Sequence, residues 1–337
     1  MTNDLNQLVE KALEDGPVGI RAAGRLMSLM EDQPWRLPEL FHAWAAIRQG
    51  REDELSEQIP MPRLFLGITG APGSGKSTMT DALVGEYREK YPDKKVGVIA
   101  VDPSSPFTGG SVLGDRVRMM RHATDSKVFI RSLSARGHLG GLTLGVKGVA
   151  RIMGLIGCDV VIIETVGVGQ SEVEVTQVAD LVAVVLAPGQ GDSIQMLKAG
   201  LMEIADLFVI NKMDREGSAQ LHTQLLSSLN LSFDKKAVTD VQLVSATDKV
   251  NIDVLVELLD KRTSEQCEAW PELREKRMHA DVSESVLDQA RMRLAGVLRS
   301  KPEMTAKIID GTVTVKDVAH VLLKEACSPS EDCSLKK

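Results

Sequence analysis

The sequence is short of aromatic residues, at 3% of 337 positions, and it has no excess of positive charge, with 40 Lys and Arg against 47 Asp and Glu for a formal net charge of -7. Few rings on which bases could stack and an acidic balance argue against a nucleic-acid scaffold. Cysteine is scarce too. Cys158, Cys267, Cys327 and Cys333 form no CxxC pair and no Cys/His spacing suited to zinc, which points to reduced thiols in a reducing compartment. No apolar run approaches the roughly 20 residues of a membrane-spanning helix. The opening MTNDLNQLVEKALEDG has neither the basic start and apolar run of a signal peptide nor the Arg-rich character of a mitochondrial presequence. A cytoplasmic protein is expected, with no membrane and no nucleic-acid partner.

What is present is periodic. Leu5, Leu8, Val9, Ala12 and Leu13 recur at helical spacing up to Gly16-Pro17, and Ile20, Ala23, Leu26, Met27 and Met30 take it up again. A third short helix fits Leu40, Phe41, Trp44 and Ile47, and the charged stretch 49–62 reads as a connector. The pattern then changes. LFLGIT, VGVIAVD, VFIRSL, DVVIIET, LVAVVLAP, LFVINKMD and VQLVSAT are short apolar runs separated by helical stretches. Strands apolar on both faces with intervening helices predict an α/β fold with a mostly parallel central sheet. Beyond Arg262 the strand signal ends, and Val282, Val286, Leu287, Ala290, Leu294, Val297 and Leu298 return to helical spacing. A last helix is predicted from Thr314, placed before Asp317 as an N-terminal cap, to Ala326. The expected organisation is a helical extension over 1–62, a nucleotide-binding domain over 63–262 and a helical arm over 263–337. That arm carries more apolar positions than a lone tail can shield, so it is expected to form a homodimer.

Two motifs carry the chemistry. Gly70-Ala71-Pro72-Gly73-Ser74-Gly75-Lys76-Ser77, followed by Thr78, fits G-x4-G-K-[ST] between an apolar strand and a helix. The glycines let backbone N–H groups curl around phosphate, and the helix N-terminus adds favourable potential. Lys76 is assigned to the β/γ-phosphates and the Ser77 hydroxyl to Mg²⁺. Asn211-Lys212-Met213-Asp214 follows the strand LFVI and matches the NKxD base-recognition motif. The Asp214 carboxylate can accept from both the ring N–H and the exocyclic amine of guanine, whereas adenine has no such donor pair. Ser245-Ala246-Thr247, at the end of a further strand, resembles the backbone N–H element that holds the guanine oxygen. GTP and GDP are therefore the expected ligands.

Acidic residues at strand ends beside such a loop can hold Mg²⁺ directly or through its waters. Asp102 closes VGVIAV, Asp115 lies in GDRVRM, and Glu164 closes VVII as the start of an ExxG in place of the usual DxxG. No Gln directly follows this ExxG; Gln170 lies three residues past Gly167. With no obvious group to position the attacking water, slow intrinsic hydrolysis is expected.

GAPGSGKST, VDPSSPFTGGSVLGDRVRM, ETVGVGQSE, GQGDSIQMLKAG and NKMD together resemble the MeaB/ArgK family, the GTPases associated with methylmalonyl-CoA mutase. The resemblance implies a fold in the signal-recognition-particle and MinD-like branch, Mg²⁺ among Asp102, Asp115 and Glu164, and a homodimer built by the C-terminal arm. It implies a switch that chaperones a cobalamin-dependent methylmalonyl-CoA mutase, protecting or reactivating it and gating adenosylcobalamin loading. It also implies that segment 190–200, with Asp192, Gln195 and Lys198, responds to that partner, Lys198 as part of the catalytic response.

Two other functions compete: a nucleotide-dependent kinase linked to amino-acid transport, and a metal-insertion GTPase. The first lacks a recognisable acceptor site, and the second is at odds with six scattered histidines. Arg136-Gly137-His138-Leu139-Gly140-Gly141 matches part of the DxHxxG cobalamin motif, but Arg136 stands where an Asp would orient the imidazole. No directly bound cobalamin is expected.

Overall fold

A computed structural model describes residues 2–14, 16–33, 36–49, 61–103, 120–122, 124–135, 141–165, 175–189, 201–231, 240–277, 279 and part of the chain beyond it. It divides into two compact units, 1–273 and 274–337.

All seven expected strands form, in one sheet. They are β1 (Leu64–Gly70), β2 (Lys95–Pro103), β3 (Val128–Ala135), β4 (Cys158–Thr165), β5 (Leu181–Leu186), β6 (Leu207–Ile210) and β7 (Asp240–Leu243). The order is β3-β2-β4-β1-β5-β6-β7, and every pairing is parallel. Alternation along each strand sends neighbouring side chains to opposite faces, so a doubly covered strand must be apolar throughout. Phe65, Val161, Ile163 and Val184 join one core, while Leu66, Ile68, Val160, Ile162 and Val185 join the other.

Helices α1 (Thr2–Ala12), α2 (Pro17–Asp32) and α3 (Leu37–Gln49) have the predicted spacing and contribute to the first core. They share it with α5 (Gly141–Leu155) and α6 (Ser218–Leu231). The second core is built by α4 (Lys76–Lys90) and α7 (Ile252–Gln266), with Trp270 buried in it. Ile20 is an exception to the predicted α2 face: it is 41% exposed. The N-terminal helices are thus part of the first unit's packing. Arg131 of β3 reinforces this by donating to Glu31 at 2.6 Å and to Ser28 at 3.1 Å, both on α2.

Cys158 starts β4 inside the first core, and burial pushes its thiol up to about 12, so it is no nucleophile at neutral pH. In the second unit, Thr314 and Asp317 cap each other: the Asp317 N–H donates to the Thr314 hydroxyl at 3.2 Å, and the Thr314 N–H donates to the Asp317 carboxylate at 3.1 Å. Residues 316–318 are helical. The other apolar positions expected to build the arm, apart from an exposed Leu287, lie outside the described residues, as does the connector 50–60. Among the described residues, no helix is long and apolar enough to cross a membrane.

Candidate functional site

Because all seven strands run the same way, their C-terminal ends share one rim, the position at which open α/β sheets bind ligands. Central β1 runs into loop 70–75, and α4 begins at Lys76. The loop has no room for side chains at two points: a Cβ on Gly70 (φ 138°) would strike the Val185 carbonyl, and one on Gly75 (φ 94°) would strike Asn211 Nδ2. Gly75 caps α4 without a side-chain bond, leaving the helix's first N–H groups facing the loop.

This loop walls a cavity of about 450 Å³, reached by Gly73, Lys76, Ser77, Thr78, Glu164 and Lys212 among others. That volume falls within the roughly 300–1,000 Å³ of small-molecule sites. Lys76 is buried and its ammonium donates to the carbonyls of Gly70 at 2.7 Å and Ala71 at 3.0 Å, holding the amine at the loop.

Glu164, buried at the end of β4, is gripped from α4. The Ser77 hydroxyl donates to Oε1 at 2.6 Å and the Thr80 hydroxyl to Oε2 at 2.9 Å. Ser77 and Thr80 are three residues apart, which places them on the same helix face. The sequence assigns both Ser77 and Glu164 to Mg²⁺ without indicating their mutual hydrogen bond, and it gives no role to Thr80, although a second hydroxyl stands at helical spacing from Ser77. The Thr165 hydroxyl donates to Thr69 Oγ1 at 3.1 Å, tying the end of β4 to β1.

Asn211 joins three segments. Its Nδ2 donates to the Ser74 carbonyl at 2.9 Å, and its Oδ1 accepts from the N–H groups of Lys212 at 2.8 Å and Ala246 at 3.0 Å. Lys212 has a positive φ of 59°, uncommon for a residue with a side chain, and its ammonium donates to the Gly73 carbonyl at 2.7 Å. The Met213 N–H donates to Val244 at 3.0 Å, keeping the turn that carries the exposed Asp214 beside Ser245-Ala246-Thr247. Ser245 is itself fixed, by reciprocal backbone bonds with Val250 and by its hydroxyl on Asp248 at 2.7 Å. The Ala246 N–H, assigned from sequence to the guanine oxygen, donates to Asn211 here.

The remaining predicted residues are less fully described. Asp102 lies one residue before the end of β2, toward the same rim, in register with Ser134 of β3. Asp115 and Lys198 lie outside the described residues, as do Asp192, Gln195, Gln170 and His138. The chain beyond Asp115 resumes at Met120–His122, where Arg121 Nε donates to Asp81 of α4 at 2.8 Å and His122 Nε2 lies 3.0 Å from the same carboxylate.

For a metal, the pair in contact is a hydroxyl and a carboxylate, hard oxygen donors that suit Mg²⁺. Among the described residues, no group of three or more His, Cys, Asp or Glu side chains is assembled to hold an ion.

The chain is similar in sequence to known proteins. A Pyrococcus abyssi protein is 46% identical over 215 residues, 64% of this chain and 62% of that one. GTPase ArgK of Escherichia coli is 50% identical over 175 residues, 50% of this chain and 52% of that one. The mitochondrial methylmalonic aciduria type A homolog of Caenorhabditis elegans is 44% identical over 155 residues, 46% of this chain and 39% of that one. The chain thus spans less than two thirds of the length of these curated relatives. A crystal structure of LAO/AO transport system kinase aligns over 97% of this chain and 98% of its own, with a TM-score of 0.62 at 23% identity, a likeness of fold. The family model described as methylmalonyl Co-A mutase-associated GTPase MeaB matches residues 61–302, and the chain belongs to that family.

Proposed function

We propose that this protein binds GTP with Mg²⁺, hydrolyses it to GDP and phosphate, and uses the cycle as a switch that chaperones a cobalamin-dependent methylmalonyl-CoA mutase. The observation that carries the nucleotide part is Asn211, which joins the phosphate loop at Ser74 to the base-side loop at Ala246. Through it, phosphate and base elements are held at one spacing. Asp214 selects guanine by accepting from its N–H donors. Lys76 and the N–H groups at the start of α4 bind the phosphate oxygens. Ser77 and Glu164, joined at 2.6 Å, hold Mg²⁺ together with Asp102 and Asp115. The ion, when bound, neutralises charge on the β and γ oxygens. The chain supplies binding and orientation, with no residue assigned to aligning the attacking water, so unassisted turnover is slow.

The mutase part is supported by the family's description and by the naming of the C. elegans relative for methylmalonic aciduria. A switch needs GTP and GDP forms that differ in affinity for the partner, since a ligand shifts an equilibrium only through differential binding. Segment 190–200, with Lys198, is the proposed point of response. Arm 263–337 forms a homodimer, and a full-length chain that sediments as a monomer at micromolar concentration contradicts this.

The test is GTP turnover measured against the concentration of a cobalamin-dependent methylmalonyl-CoA mutase. Turnover rises to a plateau for the parent, and Lys198→Ala blunts the rise while leaving basal nucleotide affinity intact. Turnover that ignores the mutase, with equal mutase affinity for the GTP-analogue and GDP forms, leaves a GTPase without this role.

A further inference from the structure

Thr80 is fully buried in α4, and its hydroxyl donates to Glu164 Oε2 at 2.9 Å. A helical Thr ordinarily turns its hydroxyl back to the carbonyl four residues earlier. Here it reaches across to β4. The opposite carboxylate oxygen, Oε1, receives the Ser77 hydroxyl at 2.6 Å. The Glu164 carboxylate is therefore held by both oxygens from a single helix, which fixes the rotation of its plane.

That rotation matters for Ser77. A hydroxyl that donates its proton to Oε1 has its lone pairs directed away from the carboxylate, and a metal ion is bound through lone pairs. Ser77 and Glu164 both line the 450 Å³ cavity, so the clamped pair borders the space a nucleotide-bound ion would enter. Thr80 does not line it. Its contribution passes through Glu164: with Oε2 secured, Oε1 stays where the Ser77 proton needs it. Without the Thr80 hydroxyl, a buried carboxylate oxygen loses a charge-assisted hydrogen bond, which weakens the hold on the carboxylate's orientation and, through it, on the Ser77 hydroxyl.

We infer that Thr80 is a positioning residue for the divalent cation: through Glu164 it orients the Ser77 hydroxyl, and so sets the affinity for Mg²⁺ in the nucleotide complex. The inference rests on the GTP-binding reading above and adds a residue to it. Guanine recognition involves neither Thr80 nor Glu164, so nucleotide binding without metal is independent of this clamp.

The experiment titrates Mg²⁺ into the full-length protein with a fluorescent GTP analogue, for the parent and for Thr80→Val, Thr80→Ala and Thr80→Ser, and follows analogue affinity and GTP turnover. Circular dichroism and thermal unfolding check each variant's fold. Thr80→Val and Thr80→Ala raise the Mg²⁺ concentration for half-maximal effect by about tenfold, the scale of one hydrogen bond to a charged group. Thr80→Ser restores the parent curve, and GDP affinity in EDTA is the same for all four proteins. Parent-like Mg²⁺ curves in folded Thr80→Val and Thr80→Ala overturn the inference while leaving the GTPase reading intact. So does a Thr80→Ser curve shifted as far as that of Thr80→Val, or a failure of both hydroxyl-free variants to fold, since the bond to Glu164 then serves the fold rather than the cation. A parent that binds no guanine nucleotide overturns both readings.

Discussion

The Ala246 N–H donates to the Asn211 side-chain oxygen at 3.0 Å across 35 residues of sequence, while the same side chain donates its amide to Ser74 at 2.9 Å. Both ends of the candidate site thus hang on one buried amide. Asn211→Ala removes it and leaves the Ala246 N–H and the Ser74 carbonyl without these partners. Each such loss costs about 1–3 kcal/mol in a buried setting. Urea unfolding should show a loss of about 2–4 kcal/mol, with guanine-nucleotide affinity falling at least tenfold. A variant with parental stability and affinity contradicts this role.

Lys76 illustrates the difference between structural and chemical loss. Its ammonium holds the Gly70 and Ala71 carbonyls at the loop. Lys76→Ala should abolish hydrolysis and weaken GTP more than GMP, because the missing charge faces the terminal phosphates. Comparing GMP, GDP and GTP affinities by calorimetry checks it. Hydrolysis within a few-fold of the parent would remove Lys76 from this position.

Asp260 gives the fold a pH signature at the end of the sheet where β1 begins, opposite the rim that carries the site. It accepts from Arg63 at 2.5 Å, from the Tyr91 hydroxyl at 2.6 Å and from Lys90 at 3.2 Å. Burial pushes its carboxyl up, but the hydrogen bonds from Tyr91, Arg63 and Lys90 outweigh that and hold it below the ordinary carboxylate range. A depressed folded value means that the stabilisation is complete above the unfolded pKa of about 4 and is lost as pH falls through the lower, folded value. Asp260→Asn should therefore cost about 1–2 kcal/mol at pH 7, toward the low end because the carboxylate is partly solvated. The gap should close as unfolding curves are taken below pH 4. A gap of constant size down to pH 2 contradicts the assignment.

Much of this arrangement was legible in the residues. Strand interiors such as VVII in β4 are apolar at consecutive positions because both faces are covered, and a parallel sheet then puts every strand's C-terminal end on one rim. That geometry brings Glu164 and Asn211 to the phosphate loop although they are distant in sequence. What pattern reading missed were bonds set by side-chain reach. Thr80 looks like any polar helix residue until α4 is seen beside β4, and the Asn211 contact to Ala246 depends on how two loops cross. Ile20 fits the apolar stripe of α2 by spacing, yet it stays exposed.

The central claim is a guanine-selective nucleotide site, and competition measures it directly. A fluorescent GDP analogue is bound to the full-length protein in Mg²⁺, and GTP and ATP are titrated against it. Asp214, exposed in the turn after β6, offers a carboxylate to the two N–H donors of guanine, and adenine leaves that carboxylate without them. GTP should displace the analogue at a concentration at least about a hundredfold below that of ATP, the scale of two hydrogen bonds to a charged group. Asp214→Asn should narrow the ratio. Displacement by ATP at the same concentration as GTP in the parent protein would contradict the account.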